Sequence, residues 1–111
     1  MPGDHAPRVL IFSCLRDKPV AEMAQILFPL FDLVLIPPIK TARAAQTRDI
    51  VAAAEATGTA AEAVESVAEA LRVAGSRAGD GQIVVSGSVY LVGEARALLL
   101  QLVRDHQEDR R

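Results

Sequence analysis

Tryptophan is absent from this chain, and its aromatics amount to three Phe and one Tyr. A core with so few rings must be built from Leu, Ile, Val and Ala, which suits helices packed closely on a sheet. Cysteine is nearly absent too. The single Cys14 excludes an intrachain disulfide, and a reducing cytoplasm is the expected compartment. Excess charge is lacking: the formal net charge of -2 is not the basic balance of a nucleic-acid-binding domain. No apolar run approaches the ~18 residues that would suggest a membrane span. The longest, "FPLFDLVLIPPI" (28–39), is interrupted by Asp32 and three prolines. The opening "MPGDHAPR" has no apolar signal core.

Several chemical signatures are missing as well. There is no Gly-x-x-x-x-Gly-Lys-Ser/Thr loop and no Gly-x-Gly-x-x-Gly after a strand, so the chain has no nucleotide-binding motif of its own. His5 and His106 sit at opposite ends, with no carboxylate-histidine cluster to join them into a metal site. Ser88 lies in Gly-Ser-Val, outside a Gly-x-Ser-x-Gly elbow, and neither histidine is placed to serve it. That argues against a serine hydrolase.

What remains is a chain of 111 residues, half of them apolar and 23% charged. That length and balance predict one domain able to bury a core without staples. Its ends, 1–7 and 105–111, are polar and read as flexible tails. "RVLIFSC" (8–14) is a short continuous apolar run, as expected of a strand buried on both faces. Next comes a helix opening at Pro19, with Asp17 or Lys18 near its cap. Val20, Met23, Ala24 and Leu27 form its apolar face, and Pro29 marks its end. "FDLVLIPP" (31–38) is a second buried strand, stopped by Pro37-Pro38. Residues 48–57 are Ala-rich and helical, and Gly58 is a natural stop.

The next segment is ambiguous. "TAAE" (59–62) and "SVAE" (66–69) both read as capping boxes. Alanine content favours a helix from residue 60. The alternation of elements favours a short strand at 60–64 and a helix after Ser66, ending near Gly75 or Gly79, and this second reading is adopted. "QIVVSG" (82–87) is the last strand. From about Tyr90, Leu91, Val92, Ala95, Leu98, Leu99, Leu102 and Val103 make an amphipathic helix. Gly93 interrupts it, which predicts close approach of a neighbouring strand or domain. The order β-α-β-α-β-α-β-α points to an α/β three-layer, Rossmann-like sandwich with a mostly parallel sheet.

In such a sheet ligands gather beyond the carboxyl ends of the strands. Three stretches fall there: "SCLRDKP" (13–19), "PPIKTAR" (37–43) and "SGSVY" (86–90). They bring Arg16, Asp17, Lys18, Lys40, Thr41, Arg43, Ser86 and Ser88 to one edge. Cations, hydroxyls and helix N-termini converging there favour an anionic ligand, a carboxylate or a phosphate. Solvated loops and helix caps would carry the same residue types, and the pattern alone leaves both readings open. Cys14 reads as a small apolar residue ending a strand rather than as a nucleophile.

The pieces in order, "LRDKPVAEMAQILFPLFDLVLIPP", "ARAA", a helix with "EAL", and "VVSGSVYLVGEAR", resemble the C-terminal domain of bacterial folylpolyglutamate synthase. That family, often bifunctional with dihydrofolate synthase, belongs to the Mur ligase superfamily. The likeness runs from about residue 8 to 103, and "GSVYLVGEAR" is its most specific part. It implies an ATP-dependent ligase that joins glutamate to folates, or to dihydropteroate, through an acyl phosphate. ATP and Mg2+ would be held mostly by the N-terminal ATPase domain, the partner this resemblance implies. By similarity Lys18 matches the lysine of an Asp-Lys motif and Ser88 the serine of Gly-Ser-x-Tyr, and both would bind the carboxylate of the incoming L-glutamate. Asp17 would orient Lys18 or cap its helix, and Arg43 matches an arginine after the second strand. No catalytic and no metal residue is expected in this chain. Pro19 stands where the family usually has an acidic residue. The family's opening strand, its Asp-Gly-Ala-His-Asn-Pro motif and the following helix have no counterpart, so the first β-α unit is expected to be lacking and the chain inactive alone. The competing expectation is a free-standing, non-catalytic α/β domain that binds a small acid or a protein partner, or forms a homodimer through the sheet edge left open.

Overall fold

Why the strands form is plain from their burial. In the computed structural model, which describes residues 6–109 and side chains as far as residue 105, β1 spans Arg8–Phe12. Every residue after Arg8 in it is buried. β2, Leu33–Ile36, is buried throughout. Such strands cannot expose either face, so helices must cover both. β3 is Ala61–Ala63 and β4 is Gln82–Ser86. The sheet order is β3-β2-β1-β4 and every pairing is parallel.

Register divides the core in two. Val9 lies between Leu33 and Ile83, and Ile11 between Leu35 and Val85. Val9, Ile11, Leu33 and Leu35 make one core with Val67, Ala70, Ala74, Ala78, Leu91 and Ala95, with the partly buried Val85 packed against it, under helices α3 (Val67–Ala78) and α4 (Val89–Asp109). Leu10 pairs with Val34 and Val84 on the opposite face. There it joins Phe12, Phe28, Ile50 and Ala54 under α1 (Val20–Leu27) and α2 (Thr47–Ala56). Phe12 and Phe28 meet edge to face at 5.0 Å, which spends the scarce rings where they fill most volume. The result is the expected three-layer α/β fold, with helices on both faces of a four-stranded parallel sheet.

The ambiguous segment resolves as strand then helix. Ala61, Glu62 and Ala63 pair with Val34, Leu35 and Ile36. Ser66 is the N-cap of α3, its hydroxyl accepting the Glu69 N–H at 3.0 Å. That bond satisfies an orphan donor of the first turn, and "TAAE" does not cap a helix. Gly79, at φ +55°, ends α3. Pro29 falls in a short 3₁₀ turn, Phe28–Leu30, which closes α1.

Several expectations change. The helix cap expected of Asp17 or Lys18 is not made: Pro19 holds the N-cap position of α1, and no side chain caps it. And among the described residues none approaches Gly93 closely, an added Cβ there meeting nothing within 4 Å, so no neighbouring strand of this domain explains the glycine. α4 itself departs from the expected amphipathic seat. Only Leu91 and Ala95 of its apolar face are buried, while Leu99, Leu102 and Val103 keep 46%, 60% and 53% of their surface exposed. The helix runs on to Asp109, through part of the stretch expected as a tail. Residues 1–5 and 110–111 of the expected tails lie outside the described residues, as does any His5–His106 pairing.

Gly93 sits in helix with open space around it, so Gly93→Ala should stabilise the isolated chain by about 0.5–1 kcal/mol. Ser66→Ala, which removes the α3 cap, should cost ~1 kcal/mol. Urea unfolding midpoints of the variants check both.

Candidate functional site

The carboxyl edge is organised from its centre, the end of β1. Just past the strand, Ser13 is buried. Its hydroxyl donates to the Pro37 carbonyl at 3.1 Å, which ties the end of β1 to the end of β2. The two loops then zip together. Ala45 N–H donates to Cys14 C=O at 2.9 Å and Arg16 N–H to Arg43 C=O at 2.8 Å, on either side of an isolated bridge between Leu15 and Ala44. Loop 13–19 and loop 37–46 are thus one surface, braced by backbone bonds.

β4 joins from the other side. Gly87 holds φ +111°, a conformation L side chains rarely adopt. Its backbone also lies so close to β1 that an added Cβ would fall 2.2 Å from the Ser13 carbonyl oxygen and 2.8 Å from the Phe12 ring. Only glycine meets both demands. The sharp turn delivers Ser88 to the start of α4. Its hydroxyl accepts the Tyr90 N–H at 3.1 Å and its carbonyl accepts the Val92 N–H at 3.0 Å, so Ser88 caps the helix. The remaining N–H groups of that first turn and the positive end of a 21-residue helix point to the same edge. An open depression of about 560 Å³, lined by Val85, Ser86, Gly87, Ser88, Val89, Val92 and Gly93, adjoins the cap.

Lys18 lies on loop 13–19, where its backbone N–H closes a turn onto Leu15 C=O at 3.1 Å. Lys18 is exposed, and among the described residues its ammonium has no hydrogen-bond or salt-bridge partner. Asp17 neither caps α1 nor bonds Lys18. Its carboxylate faces Arg43 instead, at 3.9 Å, with both side chains largely exposed. Solvent screens such a pair, so it orients the arginine more than it stabilises the fold. Thr41 accepts the Arg43 N–H at 3.2 Å and steadies that loop. The Arg16 guanidinium reaches the Ala42 carbonyl at 3.5 Å. The structure therefore brings Asp17 and Arg43 together, and sets Ser88 on the far side of the β1 end from them. Cys14 is buried, and burial pushes its thiol pKa up, with the Asp17 charge adding to the shift. A thiol so placed stays protonated and is a poor nucleophile. Among the described residues no group of three or more His, Cys, Asp or Glu is placed to hold a metal.

Ser13 is the residue that sequence reasoning passed over. It stands inside an apolar run, and a serine there signals a buried hydroxyl that needs a partner. Nothing local to the sequence says that the partner is Pro37.

No protein-family model and no curated sequence matches the chain. Solved structures do. A folylpolyglutamate synthase of Mycobacterium tuberculosis, complexed with ADP, is similar over 86% of this chain at 32% identity and a TM-score of 0.75. The Thermotoga maritima folylpolyglutamate synthase is similar over 86% at 24% identity and a TM-score of 0.71. The bifunctional folylpolyglutamate synthase/dihydrofolate synthase of Yersinia pestis is similar over 88% at 21% identity and a TM-score of 0.73. At those lower identities the two show the fold alone. This chain spans 24%, 21% and 23% of the three proteins.

If the edge is braced as described, Gly87→Ala should destabilise the chain by ~2 kcal/mol or more, through strain and overlap together. Ser13→Ala should cost less, ~1 kcal/mol, for one lost buried hydrogen bond. Denaturant titration ranks them. Cys14 should react with a thiol reagent only as fast as the chain unfolds, even at pH 8, and a rapid reaction in the folded state would contradict its burial.

Fold and sequence likeness together place the chain with the folylpolyglutamate synthases, as a counterpart of their C-terminal domain over about a quarter of their length.

Proposed function

We propose that this chain supplies the half-site for the incoming glutamate in an ATP-dependent ligase that extends folates, or converts dihydropteroate, by amide formation. The observation that carries the reading is the Gly87 turn, which sets the Ser88 cap and the start of α4 at the same carboxyl edge of the sheet as loop 13–19, the loop that carries Lys18. A carboxylate is well matched to that set. The ammonium supplies charge, and the hydroxyl and free N–H groups supply directed donors. Among the described residues no carboxylate pairs with the Lys18 ammonium, so none has to be given up there before an anion binds. Arg43 supports the same end of the site, restrained by Asp17.

The residues present do not form a nucleotide or magnesium site by themselves. There is no phosphate-binding glycine loop, and among the described residues no metal-holding cluster. No phosphoryl step is assigned to this chain. ADP is bound by the mycobacterial relative and a manganese ion is present in one Yersinia pestis structure. In this reading those functions belong to the rest of a full-length ligase, the N-terminal ATPase domain that is the chain's natural partner.

The 111-residue chain alone should hydrolyse no ATP and form no folate polyglutamate. Turnover by the purified chain would overturn the division of labour. In a full-length ligase carrying this domain, Lys18→Ala should raise the KM for L-glutamate by at least tenfold, with a smaller effect on the KM for ATP. An unchanged glutamate dependence would remove Lys18 from the site.

A further inference from the structure

Lys18 takes its place in the loop from the residue that follows it. Both of its backbone groups are engaged. Its N–H closes a turn onto Leu15 C=O at 3.1 Å, and its C=O accepts the Val20 N–H at 2.9 Å. The second bond spans a single residue, Pro19, whose φ of -78° and ψ of 77° are those of an inverse γ-turn. Proline suits that turn in two ways. Its ring holds φ near the value required, and the turn makes no use of the N–H that proline lacks. After the turn, Pro19 C=O accepts the Met23 N–H at 3.0 Å, which opens α1. Before it, Leu15 bridges Ala44, and Arg16 N–H donates to Arg43 C=O. The backbone therefore runs from the brace between the two loops into α1 through two bonded turns, and Lys18 is the residue the turns share.

Pro19 also decides where α1 begins. A residue before proline is disfavoured in the right-handed helical region, so the helix does not extend back through Lys18. Asp17 makes no cap for the same reason, since a cap at 17 needs a helical residue at 18. Pro19 is exposed and belongs to neither core, so its contribution is conformational rather than one of packing. From these bonds we propose that Pro19 is a positioning residue for Lys18, keeping the lysine in the loop at the carboxyl edge and out of α1. Only the Lys18 side chain is then left to order when a carboxylate binds, which lowers the entropy lost. This role rests on the glutamate half-site reading, which does not itself use Pro19.

In a full-length ligase carrying this domain, Pro19→Ala should raise the KM for L-glutamate about threefold, with kcat and the KM for ATP unchanged. A residue that acts through Lys18 has nothing left to position once that lysine is gone. In a Lys18→Ala background, Pro19→Ala should therefore change the glutamate KM no further, whereas a merely structural role would persist in the double variant. If Lys18→Ala raises the KM but Pro19→Ala leaves it unchanged, or adds its full effect without Lys18, the positioning role is overturned and the half-site reading stands. If Lys18→Ala itself leaves glutamate use unchanged, the half-site reading fails and the positioning role falls with it.

Discussion

The carboxyl edge depends on the short contact between the end of β1 and its two neighbours. Ser13 is the point of that contact. A buried hydroxyl left without a partner would cost about 1–3 kcal/mol, so the Pro37 carbonyl must stay within reach, and with it the start of loop 37–46. On the other side the Ser13 carbonyl leaves room for a backbone but not for a side chain, and so residue 87 must be glycine. One residue thus couples β2, β1 and β4 at the place where their loops diverge. The position of Ser88 and the braced state of the cationic loops are both consequences. The side chains that reach solvent there, Lys18 and Arg43, are mobile types, but they hang from a backbone with few ways to move.

Much of this was legible because burial leaves periodic marks. Arg8–Phe12 and Leu33–Ile36 are apolar on both faces, which only a covered parallel strand requires. Ser66 and Glu69 signalled a helix start through a local bond. β3 was harder, since Ala61-Glu62-Ala63 has no strand preference of its own. It is a strand because β2 offers it a ladder, and that is a tertiary fact. Asp17 illustrates the limit at the site. Its position suggested a cap, yet Pro19 took that place and the carboxylate turned to Arg43, 26 residues away in sequence. Loop-to-loop choices of this kind are made by register, which composition does not encode. The resemblance to folylpolyglutamate synthases named the residues worth following, and the fold puts them on one edge. The roles proposed for Lys18 and Ser88 toward glutamate are argued from that placement and from their chemistry.

Gly93 and the outer half of α4 belong to a different constraint. Helix propensity disfavours glycine at 93, and no neighbour among the described residues demands it. Leu99, Leu102 and Val103 are likewise apolar without cover. Scattered exposed apolar residues are ordinary, but these continue an apolar groove beside β4, between α3 and α4, and a contiguous patch is not. The domain's internal packing is therefore complete around β1 and β2 and incomplete around β4 and α4. The candidate site lies where these two regions join, at the Gly87 turn. The apolar face beside β4 and the Ser88 cap both belong to α4, one at its middle and one at its start. A partner that seats α4 more firmly would hold the Ser88 cap and the first-turn N–H groups in place, and so lower the entropy lost when a carboxylate binds them.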